Sequence, residues 1–168
     1  MSILDWGPIS RIRRNHGLEH ATLQILARRI PGVRIAGYSD PGGFWVVGDV
    51  NSEELWSAAS EALTRMQGGE HNLAVHPHCG TNYAVAGALA GTAAWLAMLG
   101  VEKDWSKRIE RWPIVISLVT VVSILALPLG PMLQARVTTD GRPRGMRLIA
   151  VERRQSGAVS LHRVRTAG

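Results

Sequence analysis

The residues of this sequence best suited to chemistry are two histidines four positions apart, with a carboxylate just before the second. They are His16 and His20, with Glu19 between them. On a helix, such histidines share one face with Cβ atoms about 5–6 Å apart. Two imidazoles placed so can bind one Zn²⁺ at about 2.0–2.1 Å. Glu19 would project beside that metal, where a general base for a metal-bound water belongs.

This H-x-x-E-H spacing is that of the inverted zinc-hydrolase motif. The alternative is a pair of polar histidines on a helix face, with a solvated glutamate beside them. A second polar cluster favours the metal interpretation, because residues 76–82 hold His76, His78 and Cys79 within four positions. Imidazole and thiolate are both good ligands for Zn²⁺ or a similar divalent metal.

We therefore expect the two clusters to meet in space and to form a metal site at a membrane surface. The predicted ligands are His16, His20, His76 and Cys79. The weaker candidates are His78, Glu70 and His71. Without a metal, Thr81 and Asn82 would cap the helix that follows, and Cys79 would pack as a small apolar residue. His162 is interpreted as an ordinary strand residue.

Composition excludes several classes of protein. The net charge is +6, but the arginines are scattered and aromatic residues are 5% of the chain, so we expect no nucleic-acid partner. A single cysteine leaves no intrachain disulfide and no zinc-ribbon framework. Residues 1–15 show no long apolar core and no small-x-small cleavage site, so no signal peptide is expected.

Turn and capping residues predict a soluble helix–hairpin–helix unit. A helix over residues 16–29 would be capped by Asn15 and ended by the proline and glycine at 31–32. Residues 33–39 and 44–50 predict two strands joined by the turn at 40–43. A second helix, capped by Asn51 or Ser52, would run to Met66 and end at the two glycines 68–69.

Two long apolar runs predict a transmembrane hairpin. Residues 83–101 hold no charge before position 102, and residues 114–127 follow Pro113, which suits a first helical position. Residues 102–111 would form the charged loop between the spans. Two buried helices of a soluble protein are the alternative. Gly87 and Gly91 would let another helix approach closely. We expect the second span there, with self-association or a membrane partner as the alternative.

The fold class expected is an α+β membrane protein in three parts. Residues 1–82 form the soluble unit, residues 83–133 the transmembrane hairpin, and residues 134–168 a C-terminal β-hairpin. That hairpin has strands at 146–153 and 159–165 around a turn at 155–157, and we expect it to pack on the soluble unit and extend its sheet. Two spans put both termini on one side of the bilayer. The free cysteine and the arginines favour the cytoplasmic side of a bacterial inner membrane.

The motifs resemble an uncharacterised bacterial membrane-protein family, domain of unknown function 6391. They are H-G-L-E-H-A-T near the start, H-P-x-C-G-T-N before a helix rich in small residues, and a tail with L-Q-x-x-V-T-T. A more distant likeness is to domain of unknown function 1385. The resemblance implies that the matching positions are His16, Gly17, Glu19, His20, His76, Pro77, Cys79, Gly80 and Thr81. His78 stands at the variable position of the second motif. The resemblance implies no reaction.

Two functions remain open on the sequence alone. The preferred one is a zinc-stabilised assembly, regulatory or interaction protein, in which the metal fastens the soluble unit to the membrane hairpin. Glu19 would then orient an imidazole. The alternative is a membrane-tethered, peptidase-like zinc hydrolase, in which Glu19 activates water.

Overall fold

The computed structural model describes residues 3–101, 104–156 and 159–168. The chain forms two compact units. The first, an α+β unit, comprises Met1–His76 and Gln134–Gly168, and the second, a helical unit, comprises Pro77–Leu133. The helical unit is therefore an insertion in the α+β unit, which the chain leaves at His76 and re-enters at Gln134.

The first long helix, α1, spans Gly7–Arg29 and carries the first histidine motif. It begins nine residues before the predicted start at position 16, so the prediction that Asn15 caps it is wrong. Pro8 lies in the first turn, where its missing N–H costs nothing and its fixed φ suits a helix. The arginine-rich stretch that follows has good helix propensity, so the helix continues through it. The predicted end at Arg29 is confirmed.

A four-stranded antiparallel sheet lies against the helices of this unit. Its strands are β1 (Ala36–Asp40), β2 (Gly43–Val47), β3 (Arg147–Ser156) and β4 (Val159–Ala167), in the order β1-β2-β4-β3. The predicted turn at 40–43 is confirmed, and both strands of that hairpin are shorter than predicted. The C-terminal hairpin joins the sheet through β2 and β4, as expected. Of its predicted turn, Gln155 and Ser156 lie in β3, and Gly157 is outside the described residues.

The second helix, α2 (Ser52–Gln67), completes the core of the α+β unit. Asn51 caps it as predicted, because its side-chain oxygen accepts from the Glu53 N–H at 2.9 Å. A 3₁₀ turn, His71–Ala74, follows. A π-helical turn, Gln134–Thr138, begins the second segment of the unit, ahead of the C-terminal hairpin. The core is formed by α1, α2 and one face of the sheet, and its fully buried side chains include Leu18, Leu26, Phe44, Val46, Leu55, Met66 and Val164.

The described residues of the second unit form three helices. They are α3 (Gly80–Ala97), α4 (Trp105–Ala126) and α5 (Leu129–Leu133), and α3 packs against α4 and α5. Pro113 lies inside α4 rather than at its start, so the predicted charged loop over 102–111 is wrong from position 105 onward. Asp104 starts the helix early, because its carboxylate accepts from the Ser106 N–H at 3.0 Å. Residues 102 and 103 lie outside the described residues.

One helix in the described part of the chain, Trp105–Ala126, is long and apolar enough to cross a membrane, and 6% of its most apolar window is buried. α3 is not long and apolar enough by the same measure, so the predicted two-span hairpin is not confirmed. Several apolar side chains of α4 are exposed, including Ile114, Ile116, Val121, Ile124 and Leu125. A Cβ added at Gly87 or Gly91 would meet nothing within 4 Å. The expectation that these glycines pack against the second apolar helix is therefore wrong.

Candidate metal centre

Two imidazoles of α1 lie side by side with defined tautomers. The ring centroids of His16 and His20 are 4.3 Å apart, with an interplanar angle of 62°. Nδ1 of His16 lies 3.0 Å from the Thr138 carbonyl oxygen, and Nδ1 of His20 lies 2.7 Å from that of Ala74. Because a carbonyl can only accept, each Nδ1 carries the hydrogen. Nε2 is then the nitrogen of each ring that bears a lone pair.

This arrangement is the one that metal-binding histidines adopt. Such a histidine donates its second ring N–H to a carbonyl or carboxylate, which fixes the tautomer and the ring orientation. His20 is buried and His16 half-buried, so both rings are held within the unit. A potential ligand atom of His16 and one of His20 lie within 4.8 Å of each other. The chemistry of the pair fits a borderline divalent metal such as Zn²⁺.

His76 brings a third imidazole to the same place. Its ring centroid is 5.6 Å from that of His20, although 56 positions separate the two residues in the sequence. The His76 backbone is bound by one side chain: its N–H donates to Gln134 Oε1 at 2.8 Å, and its carbonyl accepts from Gln134 Nε2 at 3.1 Å. The structure thus brings together His16, His20 and His76, here called the histidine cluster.

Glu19 is held against the sheet. Its side chain is buried, with 3% of the residue exposed, and Oε2 accepts from the Ser39 hydroxyl at 2.5 Å. A Cβ added at Gly37 would overlap the same carboxylate, so β1 approaches α1 closely only because position 37 is glycine. The carboxylate of Glu19 is therefore bound to β1, next to the histidine pair along α1.

Neighbouring contacts fix α1 on the sheet at the level of the histidines. Asn15 is 1% exposed; its amide donates to the Asp40 carbonyl and its oxygen accepts from the Thr166 hydroxyl, both at 2.7 Å. Arg163 lies 2.7 Å from the Asp40 carboxylate. Although partial burial raises the pKa of Asp40, the hydrogen bonds from Arg163 and from the Gly42 N–H outweigh it and lower that pKa. The last turn before His16 is thus bound to both hairpins.

Arg13 fixes the segment that supplies the acceptor for His16. Its guanidinium donates to the carbonyl oxygens of Val137 at 2.7 Å, Thr139 at 3.0 Å and Arg136 at 3.1 Å. The Asp140 N–H donates back to the Arg13 carbonyl at 2.9 Å. The Thr138 carbonyl therefore has a set position beside α1. The Thr138 hydroxyl is buried without a hydrogen-bond partner in the described part of the chain.

The weaker candidates have other partners or other places. Glu70 pairs with Arg65 at 2.6 Å on the surface, and the exposed His71 donates from Nδ1 to the Gly141 carbonyl at 2.8 Å. The third weaker candidate, His78, belongs to the helical unit, as does Cys79, which is one of the four predicted ligands. Cys79 is the N-cap residue of α3, in place of the predicted Thr81 and Asn82, and its Sγ lies 3.4 Å from the Thr81 hydroxyl.

The fifth histidine of the α+β unit, His162, lies in β4 as predicted but is not an ordinary strand residue. It is 0% exposed, and neither ring nitrogen has a hydrogen-bond partner among residues 3–101, 104–156 and 159–168. Burial lowers its pKa, and the positive charge of Arg153 lowers it further. Both effects favour the neutral imidazole. The sequence gives one usable signal, since alternation in β4 puts His162 on the same face as Val164.

The chain belongs to the family defined as domain of unknown function 6391, which matches residues 11–151. The resemblance to this family is confirmed, whereas the likeness to domain of unknown function 1385 is not shown and stays a prediction. An uncharacterised protein of Picosynechococcus sp. is 42% identical over 98 residues, which cover 51% of this chain and 48% of that protein. The match thus spans about half the length of this relative. No solved structure matches the chain.

Sequence reasoning missed the residues that support the histidine cluster. Gln134, Arg13 and the carbonyls of Ala74 and Thr138 act on histidines that are up to 122 positions away. The L-Q-x-x-V-T-T stretch of the tail, which contains Gln134 and Thr138, was the available signal. Every residue has a backbone carbonyl, so the sequence does not indicate which carbonyls accept from His16 and His20. These two acceptors could be found only from the fold.

Proposed function

We propose that this protein is a membrane-anchored metal protein in which the histidine cluster binds Zn²⁺ or a similar divalent ion. The metal would stabilise the α+β unit, which would then assemble with or regulate a membrane partner. One observation carries the proposal: both α1 histidines donate Nδ1–H to backbone carbonyls, those of Thr138 and Ala74. That leaves two Nε2 lone pairs on one helix face, with a third imidazole beside them.

Cys79 enters the proposal as the fourth ligand on chain connectivity alone. It follows His76 by three residues, which can span at most about 10–11 Å. A thiolate would complete a closed His₃Cys set, and four protein ligands are typical of structural zinc sites rather than catalytic ones. Because binding energy at such a site becomes folding energy, this donor set favours a stabilising metal.

The hydrolase remains the alternative and has less support. A general base must reach a metal-bound water, whereas the Glu19 carboxylate is buried and already accepts from Ser39. The same hydrogen bond suits a carboxylate that braces α1 on β1 behind the histidines. Exchange of Glu19 for glutamine separates the two roles, since glutamine keeps the shape and removes the base.

Membrane anchoring is proposed from the helical unit. α4, Trp105–Ala126, has 22 residues and measures roughly 33 Å at 1.5 Å per residue. That length matches a hydrocarbon core of about 30 Å. A helix that stayed in water with so little of its apolar surface buried would be costly, at about 25 cal/mol for each Å² exposed. Lipid is therefore the proposed environment of α4.

Further membrane features extend this proposal. The 18 residues of α3 measure about 27 Å and would form a second, shorter span beside α4. Both termini would then face the cytoplasm across a bacterial inner membrane. The Gly87 and Gly91 face is open in the described structure, and it would take a membrane partner or a second copy.

Metal analysis of the detergent-purified full chain tests the site. We expect about one Zn²⁺ per chain, and a loss of more than about 100-fold in affinity for His16→Ala or His20→Ala. His71→Ala, an exposed histidine of the same unit, is the matched control and should bind as wild type does. Wild-type protein that neither binds Zn²⁺ nor gains stability from it would overturn the proposal.

The Glu19→Gln variant tests the choice between the two functions. A stabilising metal predicts that Zn²⁺ stoichiometry is kept and affinity falls by no more than about 10–100-fold, as for a group that acts through a ligand. A hydrolase predicts full metal content with loss of a peptide- or ester-cleaving activity present in wild type. Detection of such an activity, abolished in Glu19→Gln, would replace the first function by the second.

Membrane insertion has its own measurement. We expect the expressed chain to stay in the membrane pellet after alkaline carbonate extraction. In a Cys79→Ser background, a cysteine placed by Gly168→Cys should be protected from an impermeant thiol reagent in intact cells, and one placed by Ser106→Cys should be labelled. Release by carbonate would refute the anchoring, and labelling at 168 would reverse the proposed orientation.

A further inference from the structure

We propose that Gln134 is a positioning residue for the metal site, which holds His76 in place as a ligand through its backbone. The inference rests on the proposed function, because it assigns a role toward the metal that the histidine cluster would bind. Gln134 would act on His76 through the His76 backbone and would not itself be a metal ligand. Its two hydrogen bonds to the His76 N–H and carbonyl are the observation that carries it.

His76 is the member of the cluster that needs such support. His16 and His20 lie on a 23-residue helix, whose hydrogen bonds fix their backbone. His76 instead lies beyond the 3₁₀ turn, and it is the last residue of the α+β unit before the chain departs for 57 residues. Gln24 steadies the preceding residues by donating to the Leu73 and Val75 carbonyls. For His76 itself, the backbone donor and acceptor both go to Gln134.

Gln134 is rigid enough to serve as this support. It is 0% exposed, so its amide does not exchange these hydrogen bonds for water. Its own carbonyl accepts from the Thr139 N–H at 3.0 Å and from the Thr139 hydroxyl at 2.9 Å. The π-helical turn that it begins is held to α1 by Arg13. The support for His76 is thus anchored to the helix that bears the other two histidines.

The two hydrogen bonds from Gln134 to the His76 backbone, here called the clamp, require a primary amide of this length. One planar group must accept from a backbone N–H and donate to the carbonyl of the same residue, and a carboxylate has no donor for the second bond. Methionine has a similar length but makes neither bond. Asparagine has the amide but is one methylene shorter. A ligand held in its bound position loses less conformational entropy on binding, so the clamp raises metal affinity.

Zn²⁺ affinity of the full chain in detergent, measured by competition with a chromogenic chelator, tests the inference. We expect Gln134→Met to weaken Zn²⁺ binding by about 10–100-fold, as for other groups that orient a ligand. Gln134→Asn, a milder change, should weaken it less and give a folded protein if the methionine variant fails to fold. The visible spectrum of the Co²⁺-substituted protein should change in both variants, because the His76 ligand is displaced.

A matched control separates positioning from general loss of stability. Val46→Ala removes buried volume from the sheet core and should lower the melting temperature without touching His76. Its Zn²⁺ affinity and Co²⁺ spectrum should equal those of wild type. The inference is overturned if Gln134→Met and Gln134→Asn bind Zn²⁺ within about threefold of wild type, or if Val46→Ala binds as weakly as they do. Failure of the wild type to bind would instead overturn the proposed function.

Discussion

Replacing His162 by leucine should make the protein more stable, and increasingly so as the pH falls. The imidazole is 0% exposed and both its nitrogens lack partners in the described structure. Each buried polar group without a hydrogen bond costs about 1–3 kcal/mol. Leucine has a similar size and no polar atoms. We therefore expect His162→Leu to raise the free energy of unfolding by about 2 kcal/mol near pH 8.

The pH dependence follows from the lowered pKa of His162. In the unfolded chain the imidazole has the ordinary histidine pKa near 6.5, whereas burial lowers its pKa in the folded chain. Between these two pKa values the unfolded state holds more protons than the folded state. The free energy of unfolding of the wild type therefore falls by up to about 1.4 kcal/mol for each pH unit by which the pH is lowered. The loss stops once the folded form also titrates. Leucine removes this contribution, and the gap between variant and wild type widens below about pH 6.5.

Urea unfolding in detergent, followed by far-ultraviolet circular dichroism from about pH 8 to about pH 5, measures both effects. A chelator in every sample keeps metal release out of the comparison. His71→Gln, at an exposed histidine, serves as the matched control and should follow the wild-type curve. The reasoning is refuted if His162→Leu is less stable than wild type near pH 8, or if their difference stays constant as the pH falls.

Two further substitutions test the contacts that hold α1 on the sheet. Gly37→Ala should lower the free energy of unfolding by about 1–3 kcal/mol, because its Cβ overlaps the Glu19 carboxylate, whereas Gly7→Ala has open space and should change it little. Asp40→Asn should cost about 1–2 kcal/mol near pH 7 by weakening the contact with Arg163. The pKa of Asp40 is lowered, so this stability is present above about pH 4 and lost as the pH falls through the folded value. Thermal melts at neutral and acid pH measure both, and equal losses at the two pH values would contradict the second.

Local chemistry made several elements predictable. The turn at 40–43 and the cap at Asn51 depend on residues within a few positions of each other, and both are found. The joining of the two hairpins through β2 and β4 was also expected, because the C-terminal strands alternate apolar and polar residues, as a half-buried strand does. The starts of α1 and α4 were not predicted correctly. Asn15 and Pro113 are good helix-start residues, but Pro8 and Asp104 lie further upstream and start the two helices earlier.

The supporting contacts of the candidate site were beyond reach for a different reason. Spacing places His16 and His20 on one face of any helix, whatever the rest of the chain does. The Ala74 carbonyl reaches His20 across 54 positions of the chain. The Thr138 carbonyl and the Gln134 amide reach the cluster only because the chain returns after the helical insertion. The burial of His162 likewise depends on strand pairing, which a short alternating segment does not fix.

X-ray absorption at the zinc edge of the purified, Zn²⁺-loaded protein tests the central claim most directly. We predict a four-coordinate shell with three imidazole nitrogens at about 2.0–2.1 Å, from His16, His20 and His76, and one sulfur at about 2.3 Å. Cys79→Ser should remove the sulfur scattering and keep the imidazole signature. A shell of oxygen atoms only, or an imidazole signature unchanged in His20→Ala, would contradict a metal site built on the histidine cluster.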